Sequence, residues 1–507
     1  METRSAKRKK FWFEGENGID RISDLPDVVL HHILFHLPIK TIAQTSVLSK
    51  RWRSLWSSFP DLDFTSINPI GVPSTNIKPS NEKRSLTHSW SAKRMDFISQ
   101  VLALRDKHSD LRILRFRASV SFSRLNGLIR RAIRQNVQEL DAEVATDDYF
   151  NFPRSVITSE SLRVFKLRSR YPGFRLPPQQ LMKGGFCSLH TLSLSRVILY
   201  SQPSLLDLFT DSSFLRLKKL NLDACFGLKH LKISCLALED LTLENCFQLH
   251  SLDVSVAKLK RLRVASCFDA YCDESWVKIN APSLRIMVWE YNAITENSSL
   301  ENLISVHEAS IGFFVLHEDA SVAKHHSISN LLSGLSRAHC LTLESKCVEM
   351  LSSKNYITNM FSNLQSLELK TCLNKHNVPG LAYLFKSSPT LHTLILKIVN
   401  DYKIERRKWN KDLWDMATSE EEQFWESQTQ TLKSFLNHLS VVKIHGFLEC
   451  ENEVSLAKFL LKHGKALQEI TLFSGHCNYR DSLRRQKIRS QMMGFSRASS
   501  NAKILFL

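Results

Sequence analysis

Residues 217–268 read LKKLNLDACFGLKHLKISCLALEDLTLENCFQLHSLDVSVAKLKRLRVASCF, a stretch that repeats itself. Cys225, Cys246 and Cys267 lie 21 residues apart, and each follows a short alternation of leucine or valine with polar residues. A phenylalanine comes directly after each cysteine. Because alternate residues of an extended chain point to opposite faces, each alternation predicts a short strand with one apolar face.

A second alternation, at Leu231–Ile233 and Leu252–Val254, falls midway between successive cysteines. Each unit therefore predicts two strands, one on each side of a flattened coil, and neighbouring coils must stack to bury their apolar faces. Repetition at roughly 20–29 residues with the pattern L-x-x-L-x-L-x-x-N/C is the signature of leucine-rich repeats. The sequence predicts a solenoid of such repeats.

The three cysteines occupy the turn position of these repeats, where we expect buried, small side chains with a weak S–H donor. The alternative is a catalytic thiol, as in ligases that carry ubiquitin on cysteine. A nucleophilic cysteine needs one exposed position beside a base. Three equivalent positions in a repeating core favour the packing role.

Looser versions of the pattern extend the repeats over residues 111–435, at intervals of about 20 to 35 residues. Residues 322–337 and 378–388 have the pattern of helices on the convex side of the coils. A charged segment at 400–431 interrupts the repeats and carries Trp409, Trp414 and Trp425. It predicts either a binding loop with aromatic anchors or a surface insertion whose tryptophans fold back onto the solenoid edge.

The N-terminal stretch at 20–64, DRISDLPDVVLHHILFHLPIKTIAQTSVLSKRWRSLWSSFPDLDF, has a different pattern. Apolar residues recur at helical spacing between Pro26 and Pro38, which predicts a first helix. Thr41 and Ser49 can cap a second and a third. So small a bundle cannot hide all of this apolar surface, so part of it should contact a partner.

The motif LPDVVLHHILFHLPIK, with SVLSKRWRSLW and PDLDF after it, resembles the F-box of plant F-box proteins. The resemblance covers residues 19–65 and implies that the helices dock onto the Skp-type adaptor of a cullin-RING ubiquitin ligase. The alternative is a bare bundle whose apolar residues fill only its own core. The residues that we expect at the adaptor contact are Leu25, Pro26, Leu30, Ile33, Leu34, Leu37, Pro38, Val47, Leu48, Trp52, Leu55 and Trp56.

The C-terminal residues 436–507 predict the order strand, helix, strand, helix, strand. VKIHGF, FLLKHGKALQEITL and RASSNAKILFL resemble the FBD domain at the C-terminus of many plant F-box/leucine-rich-repeat proteins. Such a unit can close the open end of a solenoid. The basic helix at 480–493 is then a cap helix with a solvated face rather than a nucleic-acid contact.

The predicted architecture is of the α/β class. A three-helix F-box precedes a leucine-rich-repeat solenoid, a parallel sheet with convex helices and loops, and an α+β FBD-like cap closes it. The expected domains are a basic disordered tail (1–18), the F-box (19–65), a linker with a connecting helix (66–110), the repeats (111–435) and the cap (436–507).

Composition restricts the functional classes. The net charge is +18, but the basic residues are scattered, so nucleic acid is not the expected partner. Lys7, Arg8, Lys9 and Lys10 form a candidate nuclear-import signal, with a solvated tail as the alternative. No apolar run reaches the roughly 20 residues of a membrane helix, and the N-terminus lacks a secretory signal. We expect an intracellular protein of the nucleus, the cytoplasm or both, with no membrane partner.

The sequence predicts no metal and no cofactor. Its eleven cysteines contain no C-x-x-C pair, and the histidine pairs lack further ligands at close spacing. No P-loop, G-x-S-x-G or H-E-x-x-H motif occurs, so we expect no catalytic residues. The expected function is that of a substrate-recognition adaptor in an SCF-type ubiquitin ligase, in which the repeats bind a protein client. The alternative is a scaffold or basic nucleic-acid-binding protein outside the ligase.

Overall fold

The computed structural model describes residues 22, 24–65, 96–119, 121–145, 150–151, 153–169, 174–175, 184–198, 209–270, 274–314, 321–352, 361–374, 376–399, 420–474 and 482–507. The chain divides into two compact units, Met1–Glu143 and Val144–Leu507. The basic tail with Lys7–Lys10, and Trp409 and Trp414, lie outside the described residues.

The first unit begins with three short helices, α1 (Asp27–Phe35), α2 (Ile39–Thr45) and α3 (Lys50–Ser58). Pro26 and Pro38 precede α1 and α2, where a missing N–H costs nothing. The predicted cap at Thr41 is wrong, because α2 already begins two residues earlier. The predicted cap at Ser49 is confirmed, since its side chain accepts a hydrogen bond from the Trp52 backbone N–H at 3.3 Å.

Strands of the first unit follow directly. β1 (Asp61–Asp63) starts three residues after α3 ends and pairs in parallel with β2 (Ile113–Ser119), which lies next to β3 (Glu139–Ala145). Residues 96–104 are helical, and α4 (Phe122–Arg134) connects β2 to β3. The polypeptide thus passes from the helices into a sheet strand through Phe59 and Pro60 alone.

The second unit is built on a large parallel sheet whose strands follow one another in chain order with one register, leucine opposite leucine. This confirms the predicted α/β solenoid. The strands are β5 (Val164–Ser169), β7 (Thr191–Ser195), β8 (Lys219–Asp223), β10 (Asp240–Glu244), β12 (Arg261–Ala265), β14 (Ile286–Asn292), β16 (Glu308–Phe313), β17 (Cys340–Glu344), β18 (Ser366–Thr371), β19 (Thr393–Ile398), β20 (Val441–Phe447), β21 (Glu469–Ser474) and β22 (Lys503–Phe506).

The second alternation of each repeat forms a sheet of its own. Its four strands, again parallel, are β9 (His230–Ile233), β11 (Ser251–Ser255), β13 (Trp276–Asn280) and β15 (Asn297–Glu301). A further parallel pair consists of β4 (Phe150–Asn151) and β6 (Phe174–Arg175). The prediction of two strands per coil is therefore confirmed across residues 217–268.

Buried polar contacts join the coils where the large-sheet strands end. The Cys225 and Cys246 thiols are at most 1 % exposed and donate to the Leu194 and Leu222 carbonyls, at 3.5 and 3.4 Å. Asn292 takes the cysteine position in the coil after Cys267. Its Oδ1 accepts from the Cys267 and Phe268 backbone N–H groups at 2.8 and 3.3 Å.

Helices lie between several strands of the second unit. They are α5 (Arg154–Ile157), α6 (Val322–Gly334), α7 (Ser345–Ser352), α8 (Val378–Ser387), α9 (Glu420–Ser427), α10 (Lys433–His438), α11 (Glu451–His463) and α12 (Ser482–Met493). α6 and α8 confirm the helices predicted at 322–337 and 378–388. Trp425 of α9 is buried against Phe385 of α8 and Phe459 of α11, with ring centroids 6.1 and 5.6 Å away.

The C-terminal segment continues the large sheet. β20, α11, β21, α12 and β22 confirm the predicted order of elements, and the first of these strands pairs in parallel with β19 at Thr393↔Val441. All three strands of the segment are parallel to their neighbours. The predicted cap therefore adds further turns of the same α/β arrangement.

Candidate partner-binding surface on the first three helices

The three N-terminal helices share a small core. Leu30 and Leu34 of α1, Ile39 and Ile42 of α2 and Leu55 of α3 are all buried. They supply the inward positions of the bundle, because residues four apart lie on one face of a helix. The core thus contains Leu30, Leu34 and Leu55 from the twelve residues that the sequence places at the adaptor contact.

Several other members of the twelve face solvent. Val47 is 82 % and Leu48 66 % exposed, in the turn between α2 and α3, and Ile33 of α1 is 42 % exposed. Pro26 and Pro38 are also exposed, at the starts of their helices. The remaining four, Leu25, Leu37, Trp52 and Trp56, are partly buried.

The outward side of α1 adds residues that sequence reasoning did not include. Val28 is 80 % exposed, and Val29 and Phe35 are also exposed. The helical spacing could have identified Val28 as exposed, because it lies two positions before Leu30 and therefore faces away from the core. We define the exposed apolar surface of this unit as Val28, Val29, Ile33, Val47 and Leu48.

An arginine of α3 fixes the start of α1. Arg51 donates through Nε to Asp27 Oδ1 at 2.9 Å and through Nη2 to the Leu25 carbonyl. An exposed ion pair alone contributes about 0–1 kcal/mol. This arginine bonds to a side chain and a carbonyl together, so it sets where the LPD segment lies on α3. Arg51 therefore links the motif residues Leu25 and Asp27 to α3.

A buried arginine holds the bundle on the sheet of the same unit. Arg105, only 5 % exposed, donates to the Phe59 carbonyl and to the Asp110 carbonyl, the latter at 3.1 Å. Burial lowers the pKa of Arg105. Two backbone carbonyls, one ahead of β1 and one ahead of β2, are thereby tied to one side chain.

Four of the buried thiols have raised pKa values, as expected for packing groups, whereas hydrogen bonds with the Cys225 and Cys267 thiols lower the pKa of Cys246. Burial raises the pKa of both Cys235 and Cys347 to about 12. For Cys225 and Cys267, the neighbouring Cys246 thiol and burial both raise the pKa. A thiol that stays protonated at neutral pH is a poor nucleophile.

Two further kinds of site do not occur in the part of the chain that the structure describes. It brings together no three His, Cys, Asp or Glu side chains able to hold a metal ion. Among those same residues, no helix combines the length and apolarity needed to cross a bilayer.

The basic C-terminal helix directs two of its arginines inward. Arg485 and Arg489 of α12 lie 2.9 and 3.1 Å from the carboxylate of Glu449, whose side chain is 1 % exposed. Arg489 also lies over the Phe506 ring of β22, 5.2 Å from its centroid. These two cations are therefore engaged in packing α12 onto the sheet.

Comparison with known proteins finds family matches for two regions of the chain. Residues 22–63 match the F-box domain family, and residues 105–236 and 234–502 match a family described as At1g61320/AtMIF1, LRR domain. An F-box/FBD/LRR-repeat protein of Arabidopsis thaliana, At4g03220, is 52 % identical over the full length of both chains. The chain belongs to the plant F-box/FBD/LRR-repeat proteins.

More distant members of the F-box/FBD/LRR-repeat proteins match as well. The F-box/FBD/LRR-repeat protein At3g26920 of the same plant is 26 % identical over 99 % of both chains. The F-box/LRR-repeat protein At5g02910, also of Arabidopsis thaliana, is 27 % identical over 84 % of this chain and 82 % of its own. The F-box match covers α1 to β1, so the exposed apolar surface lies within the F-box.

Proposed function

We propose that this protein is a substrate-recognition adaptor of an SCF-type cullin-RING ubiquitin ligase. The F-box docks onto a Skp-type adaptor protein, and the leucine-rich repeats hold the client. The single observation that carries the proposal is the exposed apolar surface of the F-box. A bundle that buries Leu30, Leu34 and Leu55 and leaves Val28, Val47 and Leu48 in water has a face suited to a partner.

The chemistry comes from elsewhere in the ligase. The protein acts by proximity, because it raises the effective concentration of a client lysine near the charged ubiquitin carrier. The raised thiol pKa values of Cys225, Cys235, Cys267 and Cys347 fit this role, since none of these residues is a ready acceptor of ubiquitin. The Lys7–Lys10 segment remains a predicted nuclear-import signal.

The test replaces exposed residues, so that loss of binding cannot be mistaken for unfolding. Val47→Glu with Leu48→Glu places two carboxylates in the apolar surface. Co-purification with a Skp-type protein should fall about a hundredfold, because an unpaired charge in an apolar interface costs roughly 3 kcal/mol or more. The measurement is the amount of Skp-type protein retained by the tagged full chain.

A matched control uses two exposed leucines of the second unit. Leu215→Glu with Leu236→Glu changes the charge by the same amount, and both leucines are 62 % exposed. This variant should retain the Skp-type protein at the wild-type level. Wild-type retention by the Val47→Glu/Leu48→Glu variant would overturn the assignment of the surface.

A further inference from the structure

The large sheet of the second unit carries a row of carboxylates where its strands end. Asp223, Glu244 and Glu290 end or nearly end β8, β10 and β14, and Glu344 ends β17. The register places Asp223 opposite Glu244, and Glu244 opposite Ala265, which in turn lies opposite Glu290. We call Asp223, Glu244, Glu290 and Glu344 the acidic row.

Small residues leave space between these carboxylates. Ala265 lies between Glu244 and Glu290, and the Arg263 guanidinium spans this gap, 2.5 Å from Glu244 and 3.3 Å from Glu290. A Cβ on Gly312 would overlap the Glu344 side chain, so the absence of a side chain there allows Glu344 its position. The row thus has carboxylates on β8, β10, β14 and β17, and the small residues Ala265 and Gly312 on the intervening strands β12 and β16.

The acidic row has more charge than its own partners neutralise. Asp223 accepts hydrogen bonds from the neutral Ser195 and Asn245, at 2.8 and 3.0 Å. Glu244 and Glu290 share Arg263, and Glu344 pairs with Lys370 at 3.4 Å, at the end of the row. A chain with a net charge of +18 therefore carries a locally acidic strip.

Exposed aromatic side chains follow the acidic row along the same coils. Phe226 and Phe247 come three residues after Asp223 and Glu244, and Tyr291 comes directly after Glu290. With Phe314, which follows β16, these residues are between 41 and 59 % exposed, and we call the four the aromatic rim. Tyr291 lies in an irregular register between β14 and β16 and has a φ of 54°, so its backbone holds a bulky ring outward.

Beyond Glu344, basic residues occupy the same position on the following strands of the large sheet. Glu344 lies opposite Lys370, which is followed across the sheet by Lys397 and His445. The acidic part therefore crosses six strands, from β8 to β17. At ~4.8 Å between strands this is about 24 Å, which an extended peptide covers with about seven residues.

We propose that the acidic row and the aromatic rim together bind a short, extended segment of a client protein that combines lysine or arginine with apolar side chains. Basic side chains complement the carboxylates, and apolar side chains cover the exposed rings. Nucleic acid is disfavoured, because phosphates would meet Asp223, Glu244, Glu290 and Glu344. The inference rests on the proposed function only in naming the bound segment as part of a client.

A peptide selection tests this surface even while the client is unidentified. The purified full chain is incubated with bead-bound peptides eight residues long and randomised at every position, and bound beads are sequenced. Lysine and arginine should be enriched together with Phe, Leu or Ile. Affinity for one selected peptide is then measured by fluorescence anisotropy at low and high salt, and should weaken with salt because exposed charge pairs are screened.

Variants assign the binding to the two features. Glu244→Gln with Glu290→Gln should lower the affinity for the selected peptide about tenfold, which corresponds to the loss of two partly exposed ion pairs. Phe226→Ser with Phe247→Ser should weaken it similarly while leaving the salt dependence intact. Asp253→Asn with Glu301→Gln, on the four-stranded sheet, changes the charge equally and should have no effect.

Several results would overturn the inference. They are no enrichment, enrichment of acidic peptides, equal loss in the Asp253→Asn/Glu301→Gln control, or a dimer in light scattering that Phe226→Ser/Phe247→Ser abolishes. Retention of the Skp-type protein is measured on the same preparations. Peptide binding without Skp-type binding would contradict the ligase role alone, and the reverse would contradict only this surface.

Discussion

At the scale of single residues, one turn position shows how the coils are joined. Cysteine fills it in three consecutive coils and asparagine in the next, where Asn292 is fully buried. Asn292 satisfies three backbone groups, since its Nδ2 also donates to the Val264 carbonyl at 2.9 Å. The repeat signature treats asparagine and cysteine as equivalent, but the Asn292 amide accepts from two N–H groups and donates to a carbonyl, whereas a thiol is both a weak donor and a weak acceptor.

Asn292→Ala should therefore destabilise the second unit. Two backbone N–H groups and one carbonyl would lose their partner inside the core, which costs about 2–4 kcal/mol in the free energy of unfolding. Urea unfolding followed by circular dichroism measures the change. Asn245→Ala, at an exposed position whose amide donates to Asp223, is the control and should shift the midpoint little. Equal shifts in the two variants would contradict the role of Asn292 in joining the coils.

The same scale shows what the sequence could not settle at the F-box. Twelve residues were predicted at the adaptor contact because apolar residues at helical spacing fit both a core and an interface. Leu30, Leu34 and Leu55 are buried, whereas Val47 and Leu48 face solvent. The difference depends on how the three helices pack on one another. Spacing along one helix carries no information on that packing.

At the scale of elements, α9 shows how part of the charged segment joins the solenoid. Its Trp425 packs between α8 and α11, and its acidic residues pair with α11. Lys458 lies 2.7 Å from Glu422, and Lys462 lies 2.8 Å from Glu426. The sequence left open whether the tryptophans anchor a partner or fold back. For Trp425 the structure gives the second arrangement, since the ring is buried.

The docking of α9 on α11 should depend on pH. Burial alone would raise the pKa of Glu426, but hydrogen bonds from Lys462 and His463 outweigh it and hold this pKa below its usual value. A lowered folded-state pKa adds stability that is present in full above the unfolded-state pKa, near 4.3, and is lost as the pH falls through the folded-state value.

Glu426→Gln should consequently unfold at lower urea than the wild type at pH 7. The difference should shrink as the pH falls below the usual carboxyl pKa and disappear below the lowered folded-state pKa, where the wild-type carboxyl is protonated too. The measurement is the urea midpoint of both proteins at several pH values, with Glu469→Gln as a control on β21. A difference between Glu426→Gln and the wild type that persists unchanged into acid would show that charge is not the cause.

The last strands depend on another pairing between elements. Glu449, two residues after the end of β20, is buried with Arg485 and Arg489 of α12, and burial raises the pKa of this carboxyl against the opposing effect of both arginines. Arg485→Gln with Arg489→Gln would leave the carboxylate buried and unpaired. The free energy of unfolding should fall by about 3 kcal/mol, as when one partner of a buried ion pair is removed.

The measurement is again urea unfolding at pH 7, and limited proteolysis should show earlier cleavage within α12. Lys465→Gln with Lys487→Gln removes the same charge from exposed positions and serves as the control. If the double arginine variant and this control unfolded alike, α12 would be held by its apolar contacts alone.

At the scale of the whole molecule, the periodic parts were the most predictable. Each 21-residue unit between Cys225 and Cys267 specifies both of its strands, because the repeat fixes which residues are inward. Non-local pairing was not predictable. Asp61–Asp63 pairs with Ile113–Arg115 across about fifty residues of chain, and no local pattern marks a short DLD segment as part of a sheet. The continuation of the large sheet through β20, β21 and β22 likewise required the register of the strands.

The pairing of β1 with β2 bears on how chain length between paired strands affects stability. Both strands of this pair are fixed by neighbours in the same unit, through the Asp61↔Ile113 register and through Arg105, so the pair holds together residues about fifty positions apart in the chain. The entropy of closing a loop grows only with the logarithm of its length. Pairing segments so far apart in the chain therefore costs only modestly more free energy than pairing near neighbours, and chain length added between them should change the stability of the pair little.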